Sequence, residues 1–297
     1  MRWTSRHFLF RVGTGLLLCV VVGGGGSSSR GQWIEPPGTG WAKLQVAHQD
    51  TRRRFDETGH VEPYFNEDAR SITTTVRFTG AVGLWRGLDV WIDVPYHRLA
   101  FNDVTRNRLT TGLADPRFFV RVGPSLVGVD DVPFAVALRG GVKFPVGDFQ
   151  LDAEQISLSQ GQRDWELLLE VGKSLYPWPV YVMAWAGYRW REVNPETERK
   201  PGDERLFYVA AGGALDRCRW TVAVDGQFGG APVRTDFNLE LDRNRRELLQ
   251  LIPTVGWSVG PGAVEAGIRL PLHGRNLPAG PVFTLGYFLQ WDKPFWK

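Results

Sequence analysis

Residues 281–291 read PVFTLGYFLQW, and their spacing decides the fold. Phe283, Leu285, Tyr287, Leu289 and Trp291 fall on one side of an extended chain, while Thr284, Gly286 and Gln290 fall on the other. A period of two is the signature of a β-strand with a single apolar face. The same alternation places Trp165, Leu167, Leu169 and Val171 opposite Asp164, Glu166, Glu170 and Gly172, with Leu168 breaking the pattern. It recurs over 180–191 and again over 263–270, where Val264, Ala266, Ile268 and Leu270 oppose Glu265, Gly267 and Arg269.

Extended along the chain, this reading gives twelve strands, near 41–48, 71–83, 89–98, 114–123, 133–144, 162–174, 180–191, 205–215, 219–228, 247–258, 263–272 and 281–291. The connections alternate in length. Short ones cover 84–88, 124–132, 175–179, 216–218 and 259–262, and longer polar ones cover 49–69, 99–113, 146–161, 192–204 and 229–246. Transmembrane barrels carry short periplasmic turns and longer external loops, with strands of about 9–11 residues. The fold class expected is therefore all-β, a single antiparallel up-and-down transmembrane β-barrel of twelve strands. The rival is a soluble sandwich or ligand-binding barrel, which alternates in the same way but buries its apolar face.

Composition agrees with many strands joined by turns: 35 Gly, 19 Pro, 13 Trp and 17 Phe stand against only 2 Met. A net charge of +3 from 35 basic and 32 acidic side chains gives the whole chain no strong attraction to nucleic acid. Arg2, Arg6, His7 and Arg11 precede the apolar run 16–22 and the small residues 23–29, which is the layout of an export signal. That predicts a signal peptide over 1–30, cleaved near 26–31, and a barrel over 31–297. Cys19 lies in this segment, where a bulky Leu18 argues against a lipid-accepting site, so Cys218 stands alone and no disulfide framework forms.

If the apolar faces meet lipid, the other faces turn inward. The lumen-lining candidates are then Arg77, Asp93, Arg117, Arg121, Arg139, Lys143, Glu166, Glu170, Arg189, Arg191, Asp225, Glu265 and Arg269, with Asp89 and Asp164 beside them. Charge sign largely changes from strand to strand, so opposite charges can pair across the sheet. Two roles compete: unpaired charges that select solutes in a water-filled passage, and interlocked pairs that fill a narrow lumen. Trp41, Trp85, Trp91, Trp178, Trp190, Trp220, Trp257 and Trp291 lie near strand ends, where interface belts form. Trp185, Tyr181 and Phe119 are the inward candidates for an aromatic pocket.

Four stretches carry a family resemblance: Thr111-Gly112-Leu113-Ala114-Asp115-Pro116, Val142-Lys143-Phe144-Pro145-Val146-Gly147, Gly161-Gln162-Arg163-Asp164-Trp165-Glu166 and Gly274-Arg275-Asn276. In order and spacing along the strands the chain resembles the outer-membrane transporter family of the meta-pathway of phenol degradation. The resemblance implies an outer-membrane location and the movement of hydrophobic or aromatic compounds. The partners expected are outer-membrane lipid, a small-molecule solute and the outer-membrane assembly machinery. The chain departs from the usual terminus of such proteins, since Lys297 follows Phe295 and Trp296 where an aromatic residue commonly ends the last strand.

No enzyme is expected, because His48, His60, His97 and His273 sit in no motif with a Ser nucleophile. No metal or cofactor is expected either, since the histidines are scattered without Cys partners. The acidic pairs Asp130-Asp131 and Asp56-Glu57, and the basic clusters Arg52-Arg53-Arg54 and Arg243 with Arg245-Arg246, read as solvated loop charge. The function expected is an outer-membrane channel or uptake protein for small hydrophobic or aromatic solutes, and the alternative is a non-transporting structural or surface-binding barrel.

Overall fold

A computed structural model describes residues 34–64, 69–104, 107–130, 132–149, 155–236 and 239–292. The export signal expected over 1–30, Asp131 and the terminal residues 293–297 lie outside them.

Twelve antiparallel strands close on themselves. They are β1 (Gly40–Thr51), β2 (Arg70–Trp85), β3 (Leu88–Asn102), β4 in two pieces (β4a, Asn107–Leu113, and β4b, Arg117–Val122), β5 (Ala135–Lys143), β6 (Asp164–Ser174), β7 (Val180–Arg191), β8 (Glu204–Leu215), β9 (Cys218–Gly229), β10 (Glu247–Val259), β11 (Gly262–Arg275) and β12 (Val282–Trp291). Each strand pairs with its sequence neighbours, and β1 pairs with both β2 and β12, so no edge is left open.

The long connection expected over 99–113 is mostly strand. Leu99 to Asn102 extend β3, and β4a pairs with them from Tyr96↔Leu113 to Asn102↔Asn107. Proline supplies the reason for the break that follows: Pro116 has no N–H for the ladder, so pairing stops between β4a and β4b.

One end carries short turns. The β2–β3 turn has only Arg86-Gly87, and Gly87 adopts a positive φ of 73° that favours glycine. The other end carries long loops that form two small three-stranded sheets: Arg53–Phe55, Val61–Pro63 and Leu277–Pro278 in one, and Arg199–Lys200, Val233–Arg234 and Leu239–Glu240 in the other.

The barrel is apolar outside and charged within. Leu44, Phe78, Leu169, Val209, Val255, Phe283 and Leu285 are exposed on the outer wall, whereas Asp89, Arg121 and Glu170 are almost wholly buried. A soluble barrel would bury its apolar face and expose its charges. An unbroken apolar wall of this extent would aggregate in water and is at home against acyl chains. No described helix is long and apolar enough to cross a membrane, so the crossing belongs to the strands.

Candidate functional site: the barrel lumen

Inward positions of β3 to β8 carry two ion-pair networks, one above the other. Arg121 on β4b reaches Asp89 on β3 at 2.5 Å and Glu170 on β6 at 3.1 Å, and Arg139 on β5 meets the other oxygen of Glu170 at 3.0 Å. Nearer the long loops, Glu166 on β6 lies 2.8 Å from Arg189 on β7 and 3.8 Å from Arg117 on β4b. Arg189 continues to Glu204 on β8, which Arg191 also reaches at 3.1 Å. Arg191 and Lys143 share Asp164, at 3.3 and 2.9 Å, and Lys143 ends the chain on Asp115 at 3.3 Å. Charges held this far from water persist only because each has an opposite partner.

The remaining candidates lie on the far side of the lumen, where contacts are sparser. Arg77 on β2 is 3.5 Å from Asp93 on β3, and Glu265 on β11 takes Lys43 of β1 at 2.6 Å. Asp225 on β9 accepts a 2.7 Å hydrogen bond from Gln250, and Arg269 donates to Gln45 at 3.5 Å with no carboxylate within 4 Å among the described residues. The inward wall of β9 to β12 is otherwise built largely of small side chains, including Ala223, Thr254, Gly256, Ala263, Gly267 and Thr284.

Toward the short-turn end the lumen holds a cavity of about 290 Å³ lined by Glu35, Trp41, Trp91, Arg139, Glu170, Met183, Trp185, Tyr208, Phe288 and Gln290. Trp185 and Tyr208 stack at 5.5 Å with their planes 6° apart, while Trp41 meets Trp91 edge-on at 5.0 Å. The Arg121 guanidinium lies 4.3 Å from the Trp91 ring centre, and that of Arg139 lies between 5.1 and 5.4 Å from Trp91, Phe119 and Trp185. Rings backed by cations in this way gain from cation–π attraction. The buried Trp91 Nε1 has no hydrogen-bond partner among the described residues.

Trp41 and Trp91 were expected in the interface belt and instead face inward. Their positions share the odd-numbered parity of Lys43, Gln45, Asp89 and Asp93, and parity outranks nearness to a strand end. Trp85, Trp178, Trp190 and Trp257 are exposed at the barrel exterior.

Glu35 closes the short-turn end. Its backbone N–H donates to Asp89 Oδ2 at 2.9 Å, and Pro37 bridges to Gly83. A Cβ on Gly83 would stand 2.1 Å from the Pro36 carbonyl oxygen, so only glycine lets this strap lie flat on β2. At the opposite end, 155–163 turns into the mouth: Leu158 and Gln162 are buried there, and Asn194 Nδ2 donates to the Gln160 carbonyl at 2.7 Å.

Sequence reasoning missed Glu35, Asp115, Glu204, Tyr208 and Phe288. Glu204 shares the parity of Leu206 and Tyr208 one residue before the expected strand start, and Phe288 shares that of Thr284 and Gly286, so both were readable. Glu35 and Asp115 lie outside the strands, where no periodicity exists to mark them.

The described histidines contact hydroxyls or carboxylates. His97 meets Thr75 at 2.8 Å, His48 meets Thr74 at 2.9 Å, His60 meets Thr58 at 2.8 Å and His273 lies 3.5 Å from Glu247. Among the described residues no group of three or more His, Cys, Asp or Glu has the geometry to hold a metal.

A closed antiparallel barrel with an apolar girdle and an ionised interior is a transmembrane β-barrel of the bacterial outer membrane. The chain belongs to the family described as "Putative MetA-pathway of phenol degradation", which matches residues 69–285. An outer-membrane channel from Pseudomonas putida F1 superposes with a TM-score of 0.72 at 13% identity, covering 88% of this chain and 98% of that one. The β domain of the Bordetella autotransporter BrkA (TM-score 0.42, 12% identity, 85% and 99% coverage) and the CymD monoaromatic hydrocarbon channel (0.39, 7%, 87% and 90%) are more distant in shape. No curated protein matches the chain.

Proposed function

We propose that the chain is a passive uptake channel of the outer membrane, not an enzyme, and that its solutes are small aromatic molecules carrying a hydrogen-bond acceptor. The aromatic cavity inside the lumen carries this reading. Trp41, Trp91, Trp185, Tyr208 and Phe288 give it flat apolar walls, and stacking on such rings favours a planar guest. The unpartnered Trp91 N–H supplies one directional contact, suited to a phenolic or carbonyl oxygen. Membership of the phenol-degradation family supports the same class of solute. Placement of Arg117, Arg121, Arg139, Lys143, Glu166, Glu170, Arg189 and Arg191 in paired networks favours a structural role for these charges, with Arg77, Asp93, Asp225, Glu265 and Arg269 on the more open side of the passage.

The purified chain in planar bilayers should conduct, and p-cresol should interrupt the current more strongly than cyclohexanol. Trp185→Ala should weaken that interruption. A correctly folded barrel that passes neither ions nor neutral solutes would reject the channel and leave the non-transporting barrel, a reading favoured by how densely ion pairs fill one side of the lumen.

A further inference from the structure

A second cavity, of about 450 Å³, opens at the long-loop end between 155–160, 191–204 and 229–246. Its cationic lining consists of Arg191, Arg199 and Arg246, while Glu204 is its sole carboxylate among the described residues. Glu204 is already held by Arg189 and Arg191. Arg199 and Arg246 are both exposed and, among the described residues, have no carboxylate within 4 Å; Arg246, partly desolvated, feels the repulsion of Arg191 and Arg199 against the attraction of Glu204. Two cations on one wall, with the nearest described acid spent elsewhere, give the described part of this concave mouth an excess of positive charge. Such a mouth concentrates anions from solution.

The wall is also fixed in shape. Gly202 packs on Gly230 so closely that a Cβ would stand 2.0 Å from the Gly230 carbonyl oxygen, and Gly230 N donates to the Asp203 carbonyl at 2.8 Å. Gly229 N donates to the carbonyl of Arg246 itself at 2.9 Å, which anchors the backbone of the free arginine. Phe149, Ile156, Pro201 and Pro232 complete the lining with apolar surface. The volume lies within the roughly 300–1,000 Å³ typical of small-molecule sites. Gln160, Arg191, Glu204 and Arg246 line this cavity and also the next one inward, which contains Arg77, Asp93, Arg117 and Arg189. The mouth therefore opens onto the lumen and does not face only the lipid headgroups.

We propose that this outer mouth is a recognition site for the carboxylate of a small organic acid, with Arg199 and Arg246 binding the anion and the side chains of Phe149, Ile156, Pro201 and Pro232 receiving its apolar body. This rests on the uptake reading above and narrows its solutes to acids. Guanidinium is suited to the task because its planar N–H pairs match the two carboxylate oxygens.

Benzoate, benzyl alcohol and inorganic phosphate are titrated onto the purified full chain by calorimetry in detergent. In parallel, reversal potentials are recorded in bilayers under a KCl gradient. Benzoate should bind at least about tenfold more tightly than benzyl alcohol, as expected for a charge-assisted contact, and the current should favour anions. The R199Q/R246Q double variant, checked for heat-modifiable migration, should lose that preference for benzoate. Equal binding of benzoate and benzyl alcohol would overturn the carboxylate site, as would a cation-selective current. Phosphate binding as tightly as benzoate would reassign the arginines to inorganic phosphate or lipid phosphate and also overturn the proposal. Absence of any current, with benzoate still preferred, would reject the channel but uphold the site.

Discussion

Arg121 is the most heavily committed side chain in the lumen. It is 1% exposed, holds Asp89 and Glu170 at once, and lies over the Trp91 ring. Arg121→Ala would leave two buried carboxylates facing each other with Arg139 alone to offset them. Breaking one partner of a buried pair costs about 3–5 kcal/mol, and urea unfolding from lipid vesicles should show a loss of that size. An unchanged midpoint would mean that water enters this part of the lumen and solvates the acids. Trp91 supports a finer test: Trp91→Phe keeps an aromatic ring but loses the N–H together with the pyrrole half of the indole, so a guest without an acceptor serves as the control. Affinity for p-cresol should fall by about 0.5–1.5 kcal/mol more than affinity for toluene, the worth of one hydrogen bond. Fluorescence titration checks both, and equal losses would deny the N–H its role.

Among the elements, the strap over 34–39 is the most exposed to mutation. Gly83→Val would drive a side chain into the Pro36 carbonyl and lift the strap from β2. The barrel wall does not depend on that contact, so heat-modifiable migration should persist while single-channel conductance rises. Conductance equal to wild type would show that the strap does not narrow the short-turn end. The strands themselves were legible because a half-buried strand writes its two environments into alternate residues: 281–291 was expected and Val282–Trp291 is observed. β4a was lost because its outward residues include Asn107 and Thr111, too polar to mark a face, and because Pro116 cuts it from β4b. The inward turn at 155–163 left no trace in sequence at all. Its position depends on Leu158 packing near Gly112 and Gly147, contacts that join distant parts of the chain.

At the scale of the whole molecule, the outer wall sets the environment in which the barrel is stable. Leu285→Arg would place a cation on the lipid face of β12, where the cost near the bilayer midplane is about 2–4 kcal/mol. Folding into vesicles, followed by urea titration, should show that loss, and no loss would place this surface in water. Period two put the charged candidates on one face of each strand, whereas Trp41 and Trp91, expected in the interface belt from their nearness to strand ends, line the inner cavity. The partners of the charged residues did not follow from it, because a strand's parity gives its face but not its height against a strand two places away. Arg121 to Glu170 and Lys43 to Glu265 both skip an intervening strand.

Arg121 to Glu170 and Arg117 to Glu166 brace across β5 on the arc from β3 to β8, where every neighbouring pair except β4b–β5 is also tied by an interior ion pair. The arc from β9 to β12 turns many alanine, glycine and threonine side chains inward between Asp225, Gln250, Glu265, Arg269 and Phe288, and has far fewer such ties among the described residues. Stiffness is thus distributed unevenly round the ring. Dilation that admits a bulky guest is expected from this more lightly tied arc, so the bore would widen off-centre, as a hinged band does, with the braced half serving as the fixed jaw.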